Sequence, residues 1–139
     1  MQELKVLLVE DNEADIILTS EILASVGIDQ AIKVTRDGAE AIQFIKKEGP
    51  FENEHTPDLV LLDINLPKIS GKEVLSFIKK HDAYKSIPVI IYTSSEMEKD
   101  VIECYDAGAE LYLNKSHSME SFEKVVIAIR EFTESHFPG

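Results

Sequence analysis

The chain has 139 residues, 44% of them hydrophobic, which suits one domain with its own core and excludes a disordered or fibrous protein. Its 26 acidic residues against 14 basic ones leave a net charge of −12 with no basic cluster to offset it, which argues against a nucleic-acid partner. No apolar stretch approaches a membrane span, no signal-peptide pattern opens the chain, and the single cysteine, Cys104, cannot form an internal disulfide; together these favour a reducing, cytoplasmic setting.

Residues 4–9 form a short apolar run that predicts a first strand, ending in Glu10-Asp11-Asn12. Residues 14–26 have helical spacing, with Ile17, Leu18, Ile22 and Val26 on one stripe and Gly27 as the stop. A short second strand follows at 31–35. A second helix spans 38–47, carries Ala41, Ile42 and Ile45 inward, and is ended by Gly49-Pro50. Residues 48–57 are polar, contain Pro50 and Pro57, and predict a surface loop longer than most helix-to-strand connections.

The third strand, 59–63, is the unbroken run Leu59-Val60-Leu61-Leu62 closed by Asp63. Such a run predicts a strand buried on both faces, as in parallel sheets. A third helix covers 71–81, with Val74, Leu75 and Ile78 facing the core, and a fourth strand covers 88–93, with Pro88 at its first residue. The fourth helix runs 96–107 and is closed by Gly108. The fifth strand is 110–114. A last helix runs from Ser118, its N-cap, to about residue 134, with Phe122, Val125, Val126, Ile129 and Phe132 as its apolar stripe. Residues 1–134 are expected to form one domain, and 135–139 a tail too short to be an effector.

Five strands alternating with five helices predict an α/β fold: a doubly wound parallel sheet with strand order 2-1-3-4-5. That order puts the ends of the first and third strands together at the switch point, so Glu10, Asp11 and Asp63 should converge there. Thr93 and Lys115 end the fourth and fifth strands at the same edge. Taken singly, Asp63 and Thr93 suit turns, Glu10-Asp11 a helix cap and Lys115 a solvated surface; it is their shared edge that points to a site. Three carboxylates in one crevice repel each other, and a divalent cation removes that conflict. Oxygen donors without histidine or cysteine suit magnesium rather than zinc. A carboxylate beside such an ion can attack phosphorus and form an acyl phosphate, with Lys115 and the Thr93 hydroxyl stabilising the transferring oxygens.

The motifs Val9-Glu10-Asp11-Asn12, Leu61-Leu62-Asp63-Ile64-Asn65-Leu66-Pro67 with Gly71, Tyr92-Thr93-Ser94 and Asn114-Lys115 resemble the receiver domain of two-component response regulators over nearly the whole chain. The resemblance implies the flavodoxin-like receiver fold and a signalling switch rather than an enzyme. It implies that Asp63 accepts phosphate from a sensor histidine kinase. Glu10, Asp11, Asp63 and the main-chain carbonyl of Asn65 would hold magnesium or manganese, and Thr93 and Lys115 would contact the phosphoryl group. Tyr112 would rotate inward behind Thr93, and Asn65 and Ser95 would tune hydrolysis. Output would pass through the fourth helix, fifth strand and fifth helix to a downstream protein or phosphotransfer partner, or to a second copy in a homodimer. No nucleic acid and no membrane is implied.

The family usually has proline after the lysine, joined by a cis bond. Here Ser116 stands there, and a cis bond before a non-proline residue costs about 2.5–4 kcal/mol. The Glu-Asp-Asn motif, the loop at 48–57, Asn65-Leu66-Pro67-Lys68 and Ile129-Arg130-Glu131-Phe132 are similar to stand-alone cyanobacterial phytochrome-type response regulators, and the chemotaxis type is related. Two other readings compete. A flavodoxin-like electron carrier would need a glycine- and hydroxyl-rich phosphate loop where this chain has Glu10-Asp11-Asn12-Glu13. A degenerate receiver used only for docking would not need the intact Asp63, Thr93 and Lys115.

Overall fold

The computed structural model describes residues 3–28, 31–115 and 118–138. Five parallel strands form one sheet: β1 (Val6–Val9), β2 (Ile32–Thr35), β3 (Leu59–Leu62), β4 (Val89–Thr93) and β5 (Leu111–Asn114), in the order β2-β1-β3-β4-β5. This is the predicted doubly wound topology. Five α-helices connect and cover it: α1 (Glu13–Ser25), α2 (Gly38–Lys46), α3 (Gly71–Lys80), α4 (Glu98–Asp106) and α5 (Met119–His136).

The central strands are apolar throughout because both their faces are covered. Leu7, Val9, Val60, Leu62, Val89 and Ile91 pack with Ala41, Phe44, Val74, Leu75, Ile78 and Cys104 from α2, α3 and α4. Strand alternation sends Val6, Leu8, Leu59, Leu61, Ile90 and Tyr92 to the other face, against Ile16, Ile22 and Leu23 of α1 and Val125, Val126, Ile129 and Phe132 of α5. Burying one such aliphatic side chain contributes about 1.5–3 kcal/mol, so these two layers supply most of the driving force for folding.

Register decides where the strands stop. Val9 pairs with both Thr35 and Leu62, Leu62 pairs with Ile91, and Thr93 pairs with Asn114. The residues that follow or close these pairs, Glu10, Asp63, Thr93 and Lys115, therefore share one edge of the sheet. Side-chain caps start the helices near it: Asn12 accepts from the Asp15 amide at 3.0 Å, and Asp37 from the Glu40 amide at 2.8 Å. Asn12, not the Glu10-Asp11 pair, thus caps α1.

Several local expectations change. Ile17 is 55% exposed, and the inward face of α1 is set by Ile16, Thr19, Ile22 and Leu23. The apolar residues of α1 outnumber its buried positions, so composition alone did not fix the helix's rotation. In α2 the buried aromatic is Phe44, while Ile42 is only partly buried. Lys47 ends this helix in the left-handed conformation at φ 58°, before Gly49 is reached. The loop at 48–57 contains a 3-10 turn, Gly49–Phe51, whose Phe51 ring lies 5.3 Å from that of Phe44 and anchors it. Helix α5 extends past 134 to His136, whose ring stacks on Phe132 at 3.9 Å. The geometry of the Lys115–Ser116 peptide bond, like the surroundings of His117 and Gly139, lies outside the described residues.

Candidate functional site

Asp63 follows the last buried residue of β3 and is itself 6% exposed. Both its oxygens are engaged. Oδ1 accepts from the Thr93 hydroxyl at 2.8 Å and from the Asn65 amide at 3.0 Å, and Oδ2 accepts from Lys115 Nζ at 2.9 Å. The loop after Asp63 is held close by Gly71: a Cβ there would lie 2.1 Å from the Asp63 carbonyl oxygen and 2.5 Å from Ile64 Cα. Only glycine lets α3 begin against the backbone that carries the aspartate. Gly38, at the start of α2, makes a similar approach to the carbonyl of Ile69 in the same loop.

Lys115 reaches the site from the end of β5, its amide donating to the Thr93 carbonyl at 2.7 Å. Its ammonium pairs with Glu10, with Asp63 and, at 3.1 Å, with Asp15 of α1. Burial works against charge on Lys115, but hydrogen bonds to Asp63 and Glu10 outweigh it and push the ammonium pKa up. Glu10 is 2% exposed, and burial raises its carboxyl pKa despite the opposing pull of Lys115. The Tyr92 ring lies beneath, its centroid 5.9 Å from Lys115 Nζ.

Asp11 stands beside Glu10 with an exposed side chain, and Asn65 is likewise exposed at the mouth of the crevice. Among the described residues, no three His, Cys, Asp or Glu side chains are gathered ready to hold a metal ion. Glu10 and Asp63 instead share a monovalent cation, the Lys115 ammonium. Two buried carboxylates already held to one cation supply the kind of oxygen donors that magnesium or manganese prefers.

Thr93 is fully buried and connects the site to the loop after β4. The Ser95 carbonyl accepts from the Tyr112 hydroxyl at 3.0 Å and from Asn114 Nδ2 at 3.0 Å. The Ser95 hydroxyl donates to Asp100 at the start of α4, and Lys72 of α3 bridges Asp100 and Glu103. The Lys72 and Ser95 hydrogen bonds hold the Asp100 carboxyl below the usual carboxylate range. Sequence reasoning placed Glu10, Asp11, Asp63, Thr93 and Lys115 at this edge; the structure joins Glu10, Asp63, Thr93 and Lys115 there, while the Asp11 side chain stays exposed beside them. It missed Asp15 and the Lys72–Asp100–Ser95 chain. Asp15 carried no such signal, because Glu10 and Asp11 precede α1 and no helical spacing ties Asp15 to them. Lys72 and Asp100 lie 28 positions apart, and only the packing of α3 on α4 joins them.

The response regulator receiver domain model matches residues 6–127, and the chain belongs to that family. Cyanobacterial response regulators are among the proteins it is similar to. Response regulator Rcp1 from Synechocystis sp. (strain ATCC 27184 / PCC 6803 / Kazusa) is 42% identical over 127 residues, which cover 91% of this chain and 86% of that protein. The crystal structure of the phosphorylated cyanobacterial phytochrome response regulator RcpA aligns with a TM-score of 0.84 at 38% identity, covering 96% of this chain and 93% of that one. The Mn(2+)-bound form of Rcp1 aligns with a TM-score of 0.80 at 38% identity, covering 94% of this chain and 92% of that one.

Proposed function

We propose that this receiver is a phosphorylation switch whose acceptor is Asp63 and whose donor is a sensor histidine kinase of the phytochrome type, acting in the cytoplasm. The observation that carries it is the set of donors converging on one buried carboxylate: Thr93 Oγ1, the Asn65 amide and Lys115 Nζ, all within 3.0 Å of Asp63. A carboxylate so held is oriented for attack, and the same donors can follow charge onto a phosphoryl group.

In this reading one oxygen of Asp63 forms a new bond to phosphorus as the donor's P–N bond breaks, the departing imidazole keeping the electron pair. Glu10, Asp11, Asp63 and the Asn65 carbonyl would hold a magnesium or manganese ion. When bound, that ion would neutralise charge on the transferring oxygens. Lys115 supplies a second cation to those oxygens, and the Thr93 hydroxyl turns from the carboxylate to the phosphoryl group. Movement of Thr93 disturbs Ser95, and through its carbonyl the Tyr112 phenol, so the change reaches β5 and α4. Asn65 and Ser95, flanking the crevice, regulate access of the water that later hydrolyses the acyl phosphate.

The phytochrome-type donor is drawn from the likeness to RcpA and Rcp1. A homodimer through α4, β5 and α5 is supported by exposed apolar side chains on the two helices, Ile102, Tyr105 and Ile127. Incubation with acetyl phosphate and magnesium, read by intact mass and by size-exclusion elution, tests the reading. A gain of one phosphoryl group that is absent in Asp63→Asn, with earlier elution of the loaded protein, is expected. No gain in the wild type would overturn the acceptor assignment, and unchanged elution would overturn the dimer.

A further inference from the structure

Asp15 has no part in the reading above, yet its Oδ2 lies 3.1 Å from Lys115 Nζ with only 20% of its side chain exposed. An ammonium has three N–H donors, and here Glu10, Asp63 and Asp15 accept one each. No proton of Lys115 remains free for a phosphoryl oxygen. When Asp63 is loaded, Lys115 must therefore give up or lengthen one of these bonds. Glu10 and Asp63 belong to the crevice floor, at the ends of β1 and β3. Asp15 alone belongs to a helix, where the Asn12 cap fixes its amide at 3.0 Å. It pulls the ammonium towards α1 from a different element.

We infer that Asp15 is a positioning residue that holds Lys115 back on the carboxylate cluster and so slows phosphoryl loading of Asp63. The inference rests on Asp63 being the acceptor. A plainer role competes with it. Asp15 sits in the first turn of α1, where an acid stabilises any helix through the macrodipole. Its charge could also repel a phosphoryl donor without involving Lys115. The two roles separate in a double-mutant cycle.

Loading from acetyl phosphate at saturating magnesium is measured for Asp15→Asn and Asp15→Glu, each in wild-type and Lys115→Ala backgrounds, with thermal melts to confirm folding. Asp15→Asn is expected to load about fivefold faster than wild type, within the coupling seen between contacting groups. Asp15→Glu restores the wild-type rate, and Asp15→Asn changes nothing once Lys115 is alanine. An unchanged or slower Asp15→Asn, or an acceleration that persists without Lys115, would overturn the proposal. Where Lys115→Ala loads too slowly to compare, acetic anhydride labelling of Lys115 in the metal-free protein, read by peptide mass, decides it. Faster labelling in Asp15→Asn but not in Asp15→Glu supports the tether, and equal labelling rates overturn it. Because labelling needs no phosphoryl transfer, a wild type that fails to load would sink the acceptor reading and leave the tether separately decided.

Discussion

Lys115 is the residue on which the site's electrostatics turn. Its side chain is 7% exposed and faces Glu10 at 3% and Asp63 at 8%. Removing one member of a buried ion pair costs about 3–5 kcal/mol, because the partner's charge stays buried and unpaired. Lys115→Ala is therefore expected to lose stability on that scale in denaturant titrations without added metal. Magnesium should then raise the melting temperature of the variant by more than that of the wild type, since the ion takes over the vacated charge. A larger rise in the wild type would contradict a metal site built on Glu10 and Asp63. The other residues show why sequence reasoning found this cluster. Each ends an apolar strand, so register alone brings them together. Asp15 escaped because its helix rotation, like the exposure of Ile17, is set by packing against α5 and not by its own spacing.

Among the elements, the junction of β3 and α3 leaves no room for a side chain at Gly71. The Gly71 position has backbone atoms where a Cβ would go, and backbone cannot yield as a flexible side chain can. Gly71→Ala is expected to cost about 1–3 kcal/mol by overpacking, and to displace Asp63 from Thr93. A chemical denaturation midpoint equal to wild type would contradict that close approach. A second link joins α3 to α4 through Lys72 and Asp100, with Ser95 attached. The Asp100 carboxyl lies below its ordinary value of 3.8 in the folded chain, so its contribution is present above that pH and is lost as pH falls through the folded value. The stability gap between wild type and Asp100→Asn should accordingly be full at neutral pH and close in acid. A gap that widens in acid would reverse the assigned sign. The strands and helices themselves were legible because a parallel sheet demands continuous apolar runs and its helices carry 3.6-residue stripes. The α3–α4 link was not, because a lysine and an aspartate 28 positions apart carry no local signal until the helices pack.

At the scale of the molecule, a sheet wound in the order 2-1-3-4-5 creates one crevice at its carboxyl edge, and this chain fills it with acids. The net charge of −12 is spread widely, yet Glu10, Asp15 and Asp63 meet at one cation. No helix among the described residues is long and apolar enough to cross a membrane. The two faces of the sheet divide the work. Helices α1 and α5 close one side, while α2, α3 and α4 close the other, α3 and α4 carrying the Lys72–Asp100–Ser95 chain. Under the proposed switch, a charge placed on Asp63 would reach α4 through Thr93, Ser95 and Asp100. The most direct test of that account is chemical identification of the loaded residue. Borohydride reduces an aspartyl acyl phosphate to homoserine, so protein loaded with acetyl phosphate and magnesium, then reduced and mapped by peptide mass, should carry homoserine at position 63 alone. Homoserine at another acidic position, or none in protein that has gained a phosphoryl group, would contradict the assignment of Asp63.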